Sequence, residues 1–145
     1  MSKTAWITVS VVAIAIAILA VVLIVVPGPL DEPAPFVSEN VKVDLPRPNG
    51  NVLKEFTVTG EARGTWFFEA SFPVQVRDPN NNVVGQGIAQ AEGEWMTEEF
   101  VPFSAPVTIE NYSGPAMLVL IKDNPSGLPE HDDSVEFPII VLETE

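Results

Sequence analysis

The chain has 145 residues, 20 carboxylates against seven lysines and arginines, a formal net charge of −13 and no cysteine. Every carboxylate follows Leu30, and the resulting acidic body repels phosphate backbones, which excludes nucleic acid as a partner. The missing thiols exclude a disulfide scaffold, a thiol nucleophile, a zinc–thiolate centre and a lipid-modified cysteine.

The first element is the uncharged run AWITVSVVAIAIAILAVVLIVV, Ala5 to Val26. At about 1.5 Å per residue a helix of this run reaches roughly 33 Å, enough to cross a hydrocarbon core. Its many β-branched residues make poor helix chemistry in water, but in lipid the backbone must satisfy itself internally. A secretory signal has a shorter apolar stretch followed by a small-x-small site. Here the alternating alanines at 13, 15 and 17 lie inside the run, and PGPL follows it. The expectation is an uncleaved transmembrane helix over 5–26, with Trp6 at one interface. Lys3 and the amino terminus flank one side, Asp31 and Glu32 the other. This places residues 1–4 in the cytoplasm and the remainder outside the cytoplasmic membrane. Prolines 27, 29, 33 and 35 then predict an extended, semi-rigid stalk over 27–39.

From residue 40 to 145 the hydrophobic period drops to two. VKVDL puts Val41, Val43 and Leu45 on one face. EFTVTG puts Phe56 and Val58 inward, and SFPVQVRD does the same with Phe72, Val74 and Val76 before a PNNN turn. VVGQGIAQA, from Val83, is the next strand, weakened by two glycines. FVPFSAPVTIE turns Phe103, Ala105, Val107 and Ile109 inward. AMLVLIKD is apolar on both faces, which suits a strand central to a covered sheet. SVEFPIIVLE alternates through Val135, Phe137, Ile139 and Val141. Pro73, Pro102, Pro106 and Pro138 lack ladder donors and are expected at edges, strand starts or bulges. About seven short strands in about a hundred residues predict an all-β, antiparallel β-sandwich of two sheets.

The stretch VTGEARGTWFFEASFPVQVRDPNNNVVGQG, residues 58–87, resembles the immunoglobulin-like domain of bacterial spore germination proteins. The resemblance begins at VKVDLPRPNG and continues through WFFEASF, the strand closing on VRD before an Asn-rich turn, and FVPFSAPVTIE. It ends with LVLIKDNPSGLPEHDDSVEFPIIVL, so it spans residues 40–143. It implies a sandwich of immunoglobulin type in an extracytoplasmic bacterial protein. No enzymatic residues are defined for that family, so the resemblance transfers none. What it implies is a non-enzymatic protein-interaction or structural module of the cell envelope.

The richest cluster of chemistry is DNPSGLPEHDD, residues 123–133, on the connection between the last two strands. Asp123, Asn124, Glu130, Asp132 and Asp133 offer hard oxygens of the kind calcium takes. Their spacing does not fit a helix–loop–helix calcium loop, and the same residues are ordinary turn formers. One reading is therefore a Ca2+-responsive ligand-binding domain, with glycan as one possible ligand; the other is a structured turn and no cofactor. Ser126 or Ser134 with His131 does not give an oriented base, a nucleophile and an oxyanion hole together. Glu92/Glu94 and Glu98/Glu99 would need a cleft between them for glycosidase chemistry, and otherwise form a solvated rim. The aromatics at 66–68 cannot all face one way. Trp66, Trp95 and His131 are the binding candidates, either stacking on a ligand or packing inside.

Overall fold

The computed structural model describes residues 32–143. The predicted span Ala5–Val26 and its flanks lie outside them. Among the described residues no helix is long and apolar enough to cross a membrane. Residues 33–39, expected in the stalk, fall within the folded unit that begins at Pro33, and Phe36–Val37 is its first strand.

The described residues form nine strands: β1 Phe36–Val37, β2 Val41–Leu45, β3 Asn51–Val52, β4 Glu55–Arg63, β5 Ser71–Arg77, β6 Val83–Ala91, β7 Phe100–Ile109, β8 Gly114–Ile121 and β9 Ser134–Val141. Short 3-10 turns cover Gly64–Trp66 and Pro129–His131. The two strands beyond the expected seven are β1 and β3, of two residues each, too short for any periodicity to reveal.

The strands hydrogen-bond in the order β1-β2-β4-β7-β6-β5-β8-β9-β3, a single curled sheet where two separate ones were expected. All neighbours run antiparallel except β3 with β9. The curl brings its halves face to face. Phe72 of β5 meets Phe103 of β7 edge-on at 5.0 Å, and Phe36 of β1 stacks on Phe137 of β9 at 4.9 Å. Those last two strands lie far apart in the ladder order, so their contact marks closure.

The period-two pattern fills this interior. Phe72, Val74, Val76, Phe103, Ala105, Val107, Ile109, Phe137, Ile139 and Val141 are all buried. Deleting a side chain such as Phe72 from a core like this costs about 3–5 kcal/mol. In β8, Leu118 and Leu120 face the core. Val119 is also buried but lies outside that cluster, between Gln75 and Glu136 in the register. Leu45 departs from expectation and is 54% exposed. The β2–β4 register shifts between Val43 and Leu45, and one extra residue in a strand turns the following side chain to the other face.

The four prolines do not occupy edge strands; β5, β7 and β9 are interior. Each sits instead where one of its strand's two ladders is absent. Pro73 pairs with Ile88 but lies beyond the β5–β8 ladder. Pro102 and Pro106 pair with β4 and fall outside the β6–β7 ladder or in its gap. Pro138 pairs with Met117 and precedes the β3–β9 pairing. The glycines of β6 are required by the neighbouring strand. A Cβ on Gly87 would lie 2.2 Å from the Pro106 carbonyl oxygen.

The register defines two ends. The crown gathers loops 38–40, 64–70, 92–99 and 122–133. The base gathers 46–50, 53–54, 78–82 and 110–113. The chain comes in from the base side: Phe36 pairs with Val43 and Val37 with Lys42, and the turn after β1 reaches the crown. Arg47 Nη1 donates to the Pro33 carbonyl at 2.7 Å, pinning the first residues of the fold there.

Candidate functional site: an acidic crown and an apolar flank

The crown collects all the sequence-predicted residues. Its loops are tied together by backbone bonds. The Gly64 N–H donates to the Glu99 carbonyl at 3.0 Å, the Asp123 N–H to the Trp66 carbonyl at 3.1 Å, and the Arg63 N–H to the Asn40 carbonyl at 2.9 Å. Gly64 admits this closeness; a Cβ there would lie 2.0 Å from the Thr97 carbonyl oxygen. Ten of the chain's carboxylates sit in these loops (Glu39, Glu69, Glu92, Glu94, Glu98, Glu99, Asp123, Glu130, Asp132, Asp133), beside only Lys122 and His131 of opposite or titratable charge.

Trp66 is 1% exposed and packs edge-on against Phe72. It belongs to the core, not to a binding face, because the 3-10 turn at the end of β4 points it inward. Phe67 is also buried, and Phe68 is the exposed member of the three aromatics. Phe68 and Ser71 exchange both backbone hydrogen bonds around a two-residue turn. Its central residues Glu69 and Ala70 take φ of 50° and 63°, a left-handed conformation that side chains resist. Trp95 is partly buried against the core. His131 is exposed at the end of the second 3-10 turn, where its backbone N–H donates to the Leu128 carbonyl.

The 123–133 loop spends its polar groups on itself. Asn124 Nδ2 donates to the Leu128 carbonyl at 2.9 Å and to Asp132 Oδ1 at 2.7 Å, while its Oδ1 accepts from the Ser126 N–H at 3.2 Å. Ser126 Oγ donates to Asn124 Oδ1 and accepts from the Leu128 N–H, so Ser126 is not aimed at His131. Asp133 accepts from Asn40 Nδ2 at 3.4 Å and from the Ser134 N–H at 2.9 Å. Asn124 therefore turns its amide nitrogen, not its oxygen, toward Asp132. Among the described residues no three His, Asp or Glu side chains converge where they could hold a metal ion. The five calcium candidates share this loop, and within it Asn124 takes a turn-forming role. Glu92, Glu94, Glu98 and Glu99 lie on the crown loop 92–99, where Glu94 Oε1 accepts from the Met96 N–H at 3.4 Å.

Sequence reasoning missed a second feature. On β9 the residues facing away from the core are Ser134, Glu136, Pro138 and Ile140, followed by Leu142. The crown half of this outer face is polar and the base half apolar: Ile140 is 42% and Leu142 38% exposed. The register places Met117 opposite Pro138, and Pro115 opposite Ile140. With Asn49 and Pro79 these residues line a groove of about 340 Å³ that contains no charged side chain. Arg77 of β5 pairs with Met117, and its guanidinium donates to Gln75 Oε1 at 2.9 Å and Asn81 Oδ1 at 3.4 Å; Asp78 precedes Pro79, and Glu136 lies two residues before Pro138 on the same outer face. The unbroken apolar run PIIVL was the available signal: a strand with only one buried face should alternate there, and it does not.

The other half of the sheet shows the usual alternative. Its outer face places Lys42 and Arg63 3.9 Å and 4.0 Å from the centre of the Phe100 ring, and pairs Lys42 with Glu61 at 3.4 Å.

No curated protein and no solved structure matches the chain. A family model does, over residues 40–127, from β2 into the crown loop after β8 and across more than half of the chain. The all-β fold around one core is consistent with this match. The chain belongs to the family of the immunoglobulin-like domain of bacterial spore germination.

Proposed function

We propose that this chain is a non-enzymatic interaction module of the bacterial cell envelope. In this reading residues 5–26 anchor it in the cytoplasmic membrane with the N-terminus inside, and the folded domain stands outside and offers its crown to a protein partner. The observation that carries the reading is the polarity of the fold. The chain comes in from the base side, while the long loops and half of the carboxylates gather at the crown. A tether at the base leaves the crown farthest from the bilayer. An acidic crown favours a partner with a basic patch, through faster encounter and rejection of like-charged surfaces. Asn124, Ser126 and Asp132 hold the longest crown loop by bonds among themselves, which suits a shaped recognition surface.

The chain has no cysteine, so single-cysteine variants report location directly. In intact spheroplasts, Ser126→Cys is expected to react with a membrane-impermeant maleimide, and Ser2→Cys only after lysis. Protection of position 126 until lysis would overturn the topology. A photo-crosslinking residue at Met96, which is 74% exposed on the crown, is expected to join a discrete protein in native membranes. The same group at Ile88, on β6 away from the crown, is expected to join none.

A further inference from the structure

We propose that the apolar flank of β8 and β9 rests on the membrane surface, with Pro138, Ile140 and Leu142 seated at the boundary between head groups and acyl chains. The inference deepens the preceding reading and rests on its N-terminal anchor.

Three observations lead to it. The first is reach. Only six residues, Pro27 to Glu32, separate the proposed span from Pro33. At about 3.1–3.6 Å each they extend no more than roughly 20 Å. The second is position. Pro33 is held by Arg47, and Asn49, two residues further on, lines the groove and donates its N–H to the Pro138 carbonyl at 2.7 Å. The point where the tether meets the fold therefore adjoins the apolar flank. The third is charge. The groove is lined without a charged side chain; Arg77, Asp78 and Glu136 border it, Glu143 follows Leu142, and ten of the carboxylates lie at the opposite end. A body with a net negative charge is repelled by anionic lipid. This flank can approach closely through apolar burial and not through charge. An apolar patch kept outward on a strand, where alternation calls for polar residues, marks a contact surface. The short tether makes the bilayer its occupant.

The test uses the full chain in phosphatidylcholine proteoliposomes. Ile140→Cys and Leu142→Cys, both at exposed positions, carry an environment-sensitive dye, with Met96→Cys as the crown control. Ala15→Cys reports the anchor. Circular dichroism verifies that each variant keeps its β spectrum. Lipids bearing a nitroxide near the head group are expected to quench the dye at 140 and 142 at least about twofold more than at 96, and mid-bilayer nitroxides to quench it at 15. Quenching at 15 with none at 140 or 142 overturns the docking and leaves the anchor standing. No quenching at any position overturns the anchor and the docking together. A dye at 140 shielded from aqueous iodide yet unquenched by lipid means that protein, such as a second copy, covers the groove, and this too overturns the proposal.

Discussion

At the scale of single residues, two turns carry most of the local chemistry. Asp78 closes the β5–β6 hairpin: its carboxylate accepts from the Asn80 N–H at 2.9 Å, the Asn82 N–H at 2.8 Å and Asn82 Nδ2 at 2.9 Å. The Asn82 side chain, then its backbone N–H, hold the Asp78 carboxyl below its ordinary value of 3.8. A carboxyl lowered on folding contributes stability that is complete above that ordinary value and is lost as pH falls through the lowered one. Asp78→Ala should therefore flatten the acid limb of the stability curve. Urea midpoints at neutral pH and near pH 3 should differ less in the variant than in the parent. The turn at Glu69 and Ala70 holds two residues with side chains in left-handed backbone where asparagine and glycine are favoured. Ala70→Gly is expected to raise unfolding free energy by roughly 1 kcal/mol, read from denaturant unfolding. A loss would show that the Ala70 methyl makes contacts worth more than the relief.

At the scale of elements, the sheet is fixed by where strands are allowed to come close. Gly87 lets β7 pass, and Gly87→Val should cost roughly 1–3 kcal/mol or more, because its clash is with the Pro106 backbone and not with a flexible tip. An unchanged melting temperature would mean that β6 and β7 can separate at little cost. The acidic loop behaves oppositely. Its fold depends on Asn124 and backbone bonds, so Asp132→Asn with Asp133→Asn should stay within about 1 kcal/mol of the parent. Millimolar Ca2+ should leave the melting temperature of the parent unmoved; an upward shift lost in the double variant would establish the calcium reading instead. The long strands were legible because their buried faces repeat every second residue. β1 and β3 were not, since two residues hold no period and their pairing depends on distant partners. Leu45 was misplaced for a related reason: a register shift leaves no mark in the hydrophobic pattern of its own strand.

At the scale of the whole molecule, closure is what turns a row of strands into a domain. β1 at one edge meets β9 near the other through Phe36 and Phe137, and β3 bonds to the last residues of β9, Ile140 and Val141. Removing residues 1–31 should leave a β-rich protein that unfolds in one cooperative transition and no longer sediments with membranes. A helical spectrum would contradict the fold, and continued firm membrane association would mean that the flank alone suffices as an anchor. Residues 66, 95 and 123–133 were named from the sequence as separate candidates; that they gather at one end of the fold was not readable there. Their division into core tryptophan, partly covered tryptophan and self-bonded turn could not be read. That division follows from which way a 3-10 turn points Trp66 and from hydrogen bonds made across the loop.

Composition and periodicity alone determined that the body is acidic, all-β and built on inward-facing valine and phenylalanine, because alternation and charge are local properties. Only the tertiary structure decided that the halves form one curled sheet, that half of the carboxylates gather at the end opposite Pro33, and that PIIVL turns an apolar stripe outward. These depend on which strands become neighbours, and a strand's neighbours are chosen by contacts between residues far apart in the chain.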